Sequence, residues 1–354
     1  MQIIRRSVLL YVLAAGLCQP LAFAATVDLG IPYLECEISL SKEKIIAGEP
    51  VDICFAFTNT SEGLVRATLW DSYNAFADDP AERLADESLK ISVQDAGGNK
   101  IARRKLLCRP GSQMQLGLGL WRIKKGETIY LLYPLHLRIA TNLVPGTYRI
   151  ELTEFRIYRG YLSPEEAKKR PGRWEGKQET FSGPSLTLEV EPYDEAALAA
   201  VYDSLNKQGK EAQARISSWH GEDYDDIAHP VRTILWAEGP IAVPYQIDLL
   251  YDQTWGFKFW PPALVNTWGN LAQYANEDQI TRILKEIVLD KDPSKLSWGM
   301  YSSRYDPGMV WAIHQWHAKG SEKVKELTRE LVEKFPEEDP CPSVMEFGSP
   351  PYGM

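Results

Sequence analysis

The chain has 354 residues, 44% of them hydrophobic. That is too apolar for a disordered protein and long enough for about two domains. Its 39 Lys and Arg against 48 Asp and Glu give a net charge of −9, which excludes a protein built mainly to grip nucleic acid and disfavours anionic membrane surfaces, since both need a basic face.

In chain order, the first pattern is a leader. Arg5 and Arg6 precede an apolar run from Val8 to Leu17, and Ala22-Phe23-Ala24 puts small residues at the two positions a signal peptidase reads. The pattern predicts a signal peptide over 1–24, a mature start near Ala25, and a periplasmic or secreted product. The run is shorter than the roughly 20 residues that span a bilayer, and no later stretch is apolar and long enough to do so. Cys36, Cys54, Cys108 and Cys341 remain after the leader. In an exported chain they permit two disulfides, with buried free thiols as the alternative. Strand alternation puts Cys36 on a face with Leu34 and Ile38 and turns Cys54 away from Ile53 and Phe55.

From about Pro32 to Pro192 the apolar period is two. Val51, Ile53, Phe55 and Phe57 alternate with polar or small residues. Leu89, Ile91 and Val93 lead into the turn Asp95-Ala96-Gly97-Gly98-Asn99, and Ile101 restarts beyond it. Ile129, Leu131, Tyr133 and Leu135 follow Lys125-Gly126-Glu127, and Tyr148, Ile150 and Leu152 follow Pro145-Gly146. The parity then shifts to Phe155 and Ile157, which predicts a bulge near Glu154. With Leu186, Leu188 and Val190 this makes about seven short strands, the pattern of an antiparallel sandwich. Phe76 to Glu87 and Gly160 to Glu179 read as long connections, the second a charged, solvated loop.

The run Gly48-Glu49-Pro50-Val51, then Asn59 with Ser61, Val93 with Asp95 and Gly98, Gly126-Glu127, and Leu143 with Pro145-Gly146-Thr147-Tyr148 resembles the bacterial exported Ig-like domain of the proteinase-inhibitor type. Trp174, Gly176 and Ser182 are similar to the closing segment of related domains. The resemblance covers residues 32–192, implies an Ig-like β-sandwich, and supplies no inhibitory loop.

After Pro192 the period becomes helical. Asp194 is an N-cap for a stripe of Ala197, Leu198, Val201, Tyr202 and Leu205. Pro230, Pro262 and Pro307 each open a further apolar pattern, and Ile247, Ile280 and Val324 follow them at nearly equal offsets. Three helical hairpins are expected, and the step from Pro262 to Pro307 suits a HEAT-type repeat. The expected fold class is all-β plus all-α: a signal peptide over 1–24, an Ig-like β-sandwich over 25–192, a HEAT-like α-helical domain over 193–336, and a flexible acidic, proline-rich tail over 337–354.

Chemistry is sparse. His220, His229, His314 and His317 lie in the helical half, with Asp223 between the first two. They are the candidates for a metal or acid-base site, but zinc needs three or four convergent ligands, and a histidine packed between helices is the simpler reading. No nucleophile elbow, phosphate loop or His-Glu zinc motif occurs. No cofactor and no catalytic residue is therefore assigned. Tryptophan is more informative: Trp236, Trp268 and Trp316 sit on apolar stripes and should fill helix seams. Trp255, Phe257, Phe259, Trp260 and Trp298 fall near connections, and Trp311 falls on the polar side of its helix. Exposed aromatics offer rigid contact area, so these six are the candidate binding residues. The sequence points to a non-catalytic binding protein with a protein partner first, a carbohydrate ligand second and a hydrolase third.

Overall fold

The computed structural model describes residues 24–73, 89–101, 114–135, 143–169, 176–215, 224–251, 261–289 and 307–334. Cys108, Cys341, His220, Asp223, Trp174, Trp255, Phe257, Phe259, Trp260 and Trp298 lie outside the described residues, as does the expected tail. The chain forms two compact units that part between Tyr193 and Asp194, with Ser72, Tyr73, Met114 and Gln115 grouped in the second.

The first unit is a β-sandwich. Its strands are β1 (Ala25–Val27), β2 (Leu34–Leu40), β3 (Lys44–Ile46), β4 (Asp52–Asn59), β5 (Leu64–Tyr73), β6 (Leu89–Asp95), β7 (Met114–Ile123), β8 (Thr128–Pro134), β9 (Gly146–Leu162), β10 (Gly176–Phe181) and β11 (Ser185–Glu191). One sheet has the order β1-β2-β4-β8 and the other β3-β11-β9-β5-β7, with β6 and β10 also paired to β9. β1 with β2, β2 with β4, β4 with β8, and β9 with β5, β6, β10 and β11 pair antiparallel, whereas β3 pairs with β11 in parallel.

Alternation explains the core. Ile53, Phe55 and Phe57 on β4 stand opposite Leu40, Ile38 and Cys36 on β2 and Tyr133, Leu131 and Ile129 on β8, and all are buried. The two sheets meet where Phe55 lies 5.6 Å from Phe155 of β9, whose ring is also 5.6 Å from Phe181. Cys54 pairs with Ser39 and so points away from Cys36; both side chains are buried. Burial, and then the charge of Glu37, push the Cys36 thiol well above its ordinary range.

The long β9 serves as the spine of its sheet. Its first half pairs with β11 and β6, and its second half with β10 and β5. Between the halves Lys90 faces Glu154 while Ile91 faces Leu152, so Thr153 is the extra residue and donates its hydroxyl to Lys90 O at 3.0 Å. The parity shift near Glu154 is this bulge. The expectation of a loop over Gly160 to Glu179 is corrected: the segment holds the end of β9, a short helix α1 (Pro164–Lys169) and β10. Its charge hid the strand, because Glu179 stands on the same face as Phe181 and is satisfied there by Arg159 at 2.7 and 2.8 Å.

The residues that carried the resemblance turn out to be corner devices. Asn59 is fully buried. Its Nδ2 donates to Gly63 O at 2.9 Å and Ile123 O at 2.8 Å, and its Oδ1 accepts from the Ser61 amide and hydroxyl at 2.8 and 2.7 Å. Its backbone is exchanged with the β7–β8 turn, through Asn59 N to Glu127 O and Gly126 N to Asn59 O. Glu49 accepts from Ile46 N and pairs with Lys42, closing the turn at Gly48, whose φ of 93° suits glycine. Asp95 accepts from Gly97 N and Asn99 N. Tyr148 donates its hydroxyl to Val144 O at 2.7 Å, the arrangement of a tyrosine corner.

The second unit is helical: α2 (Glu195–Arg215), α3 (Tyr224–Trp236), a 3-10 turn (Pro240–Ala242), α4 (Val243–Tyr251), α5 (Pro261–Tyr274), α6 (Glu277–Arg282) continuing as a π-helix (Ile283–Leu289), α7 (Pro307–Lys319) and α8 (Glu322–Lys334). Asp194 Oδ1 caps α2 at Ala197 N, 3.0 Å. The expectation that Pro230 opens a helix is corrected, since it lies inside α3. That helix starts earlier, at Tyr224, and Pro230 only removes one intrahelical donor.

Replacing Asn59 by Ala strands two buried carbonyls and two donors at one corner. The expected cost is about 3 kcal/mol or more, read as a lower urea midpoint with unchanged slope; Ser61→Ala should cost only about 1 kcal/mol. Equal, small effects would contradict the corner assignment.

Candidate binding surface

The helices stand in two rows. In one, α2 packs on α3, α3 on α5, and α5 on α7; in the other, α4 packs on the π-helix and α6 on α8. The rows join where α4 meets α3 and α5 and where α7 meets α8. Apolar stripes drive this packing: Leu198, Tyr202 and Leu205 on α2, Val231, Ile234 and Leu235 on α3, Trp268 and Leu271 on α5, and Met309, Ala312, Ile313 and Trp316 on α7 are all buried. Trp236 is buried as well, and Trp268 meets Trp316 edge to face at 6.5 Å. These three tryptophans therefore fill seams.

A buried polar clamp sets the end of α3. Gln246 Nε2 donates to Ile234 O at 3.0 Å and Ala237 O at 3.1 Å, and the Thr267 hydroxyl donates to Leu235 O at 2.8 Å. Asn270 Nδ2 donates to Gln246 Oε1 at 2.8 Å, while its Oδ1 accepts from Gly239 N at 2.8 Å. Carbonyls at a helix C-terminus have no partner within the helix; here α4 and α5 supply side-chain donors. Gly239 takes a φ of 111°, which glycine adopts without a Cβ clash. One residue before Gln246, Tyr245 stacks on Tyr202 of α2, and its hydroxyl donates to Asp203 at 2.7 Å. Burial, with Asp203 next, raises the Tyr245 phenol to about 12.

The two rows differ in what they present. On the second, Arg282 reaches Glu286 at 3.0 Å and Asp248 at 3.6 Å with its guanidinium 5.8 Å over the Tyr251 ring, and Lys323 reaches Glu277 at 3.6 Å. Bonding to Glu286 raises the Arg282 pKa. Charges there are matched across neighbouring helices. By contrast, α7 carries no Asp, Glu, Lys or Arg before Lys319. Its half-buried side includes Val310, Trp311, His314 and Gln315, and residues three and four apart share a helix face.

Of the histidines, His229 and His314 are half-buried. His317 shares a hydrogen bond of 2.8 Å with Thr328 Oγ1, which itself donates to Val324 O at 2.9 Å. His317 thus fastens α7 to α8. Among the described residues no three His, Cys, Asp or Glu come together as metal ligands.

One cluster is invisible in the sequence because its members are far apart in the chain. At the end of the sandwich the Tyr161 ring, set against Gly63, lies 4.8 Å from Tyr33. Arg159 sits 5.4 Å over Tyr33, bonds its hydroxyl, and is held by both oxygens of Glu179. The pairing with Glu179 raises the Arg159 pKa. Tyr161 nevertheless stays 38% exposed, so the column is only partly covered.

No protein-family model and no curated protein matches the chain. Among solved structures, the GAE domain of Gga2p from Saccharomyces cerevisiae is 13% identical over 46% of this chain and 98% of that one, with a TM-score of 0.20. The C-terminal domain of Wzt is 8% identical over 49% and 80%, with a TM-score of 0.21. A PapD-like domain of human CEP192 is 11% identical over 44% and 87%, with a TM-score of 0.18. Scores of this size leave the sandwich resting on its own strand pairings.

The seam and surface assignments make opposite demands on stability. Trp268→Ala should cost about 3–5 kcal/mol as a large core truncation, whereas Trp311→Ala should cost about 1 kcal/mol, in line with partial burial. Urea denaturation of the two variants checks this, and a Trp311 loss as large as that of Trp268 would make it a packing residue.

Proposed function

We propose that the chain is an exported, non-catalytic binding protein whose helical unit engages a protein partner, with the sandwich as its companion module. The observation that supports this most directly is the contrast between the two helix rows: one is latticed with matched charges, and the other offers a helix with no Asp, Glu, Lys or Arg before Lys319 and with a half-buried tryptophan. Charge depletion around an aromatic anchor is the composition of an interface centre. A stack in which each hairpin touches its neighbours is also the architecture of HEAT-like scaffolds, which bind through extended helical surfaces. The net charge of −9 favours a basic partner. Inhibition of a proteinase and neutralisation of a toxin both belong to this class.

The test is capture from periplasmic and envelope extract by the chain exported from its full sequence, beside two variants, Trp311→Ala and the double variant Trp255→Ala, Trp260→Ala. Circular dichroism confirms that each variant is folded. A specific protein held by the wild type and lost by either variant is the expected result. The same proteins held by all three, or retention on insoluble glycan with no protein partner, would overturn the reading, the latter in favour of a carbohydrate ligand.

A further inference from the structure

Thr328 is wholly buried on α8. Its hydroxyl donates to Val324 O at 2.9 Å, one turn back on the same helix, with Lys325 O 3.2 Å away. A hydroxyl has one proton to give. Once it is spent on a carbonyl of the preceding turn, the oxygen can only accept from α7, so His317 Nδ1, 2.8 Å distant, is the donor. A neutral imidazole carries one N–H, and Nε2 is then bare. The turn beside this bond is tight: Gly320 N donates to Trp316 O at 2.8 Å, and a Cβ on Gly320 would collide with that carbonyl and with Val324. Two fastenings of different kinds therefore set how α7 lies on α8, a backbone turn and an imidazole in the last turn of α7. His317 follows His314 by one turn and Val310 by two, on the half-buried side that also holds Trp311.

We infer that His317 is held as its Nδ1–H tautomer and is a positioning residue for the partner side of α7. It acts through Thr328: the ring N–H fixes the angle and register of α7 on α8, and with them the direction in which Trp311 is offered. Threonine serves at 328 for its oxygen, since valine has the same shape and no acceptor. The tautomer rests on the geometry of the bond alone, while the positioning role rests on the proposed function, because it needs a partner to be read.

Nitrogen NMR of the protein with ring-labelled histidine, recorded with the imidazoles neutral, should show a proton on Nδ1 and none on Nε2 for the signal that His317→Asn removes. A proton on Nε2 would overturn the tautomer. Asn carries its amide N–H where Nδ1 sits, and Gln carries it where Nε2 sits. His317→Asn should therefore stay near the wild-type urea midpoint and His317→Gln should fall below it, against their helix propensities, which favour Gln. Thr328→Val should lower the midpoint too, and adding His317→Gln to it should cost nothing more. Equal midpoints for the Asn and Gln variants, or additive losses in the double variant, would overturn the fastening. Capture of a partner from envelope extract should be kept by His317→Asn and lost by His317→Gln and Thr328→Val, with circular dichroism showing all three folded. Capture kept by all three would overturn the positioning role. An Nδ1–H tautomer in a chain that captures nothing would sink the proposed function alone, and a captured partner beside an Nε2–H tautomer would sink this inference alone.

Discussion

The first unit depends on one saturated side chain. Asn59 ends β4, and its amide fixes the carbonyls of Gly63 and Ile123 while its oxygen holds Ser61. The β4–β5 turn is thereby tied to the β7–β8 turn from which β8 returns to pair with β4. A buried amide with all its partners costs little, and one deprived of them costs the full desolvation of each group left behind. Strand register follows from this, because a slip of one residue would move Asn59 off its acceptors and turn Phe55 and Phe57 out of the core. The second unit repeats the principle with different residues, as Gln246, Thr267 and Asn270 end α3 and shape the chain around Gly239.

Much of this was legible because alternation and turn chemistry are local. The β4 and β2 faces, the opposed cysteines, the bulge at Thr153 and the Asp194 cap follow from residues within a few positions of one another. What was not legible depends on distant partners. Glu179 reads as a solvated charge until Arg159 stands beside it, so the local pattern suggests a loop where β10 lies. Gln246 and Asn270 read as polar positions of helices, and only the assembled rows make them buried donors. Pro230 misleads in another way, since a helix tolerates the loss of one bond when its apolar stripe continues on both sides of the proline. Of the candidate binding residues only Trp311 falls among the described ones, and its half-burial agrees with neither full exposure nor a seam.

The functional reading grows from that intermediate position. Trp268 and Trp316 have spent their surface on each other and on the seam between α5 and α7, whereas Trp311 shares its side of α7 with Val310, His314 and Gln315, and the first formal charge of that helix is Lys319 at its end. Matched ions on the other row gain little individually and keep that side hydrated. An asymmetry of this kind separates a surface suited to a partner from one suited to water.

A photoreactive residue placed at position 311, compared with one at the exposed Glu326 of α8, tests that asymmetry most directly. Irradiation of intact cells expressing the full sequence should give a discrete crosslink to another protein from position 311 and none from position 326. Crosslinks of the same pattern from both positions, or from position 326 alone, would contradict the assignment of the partner surface to α7.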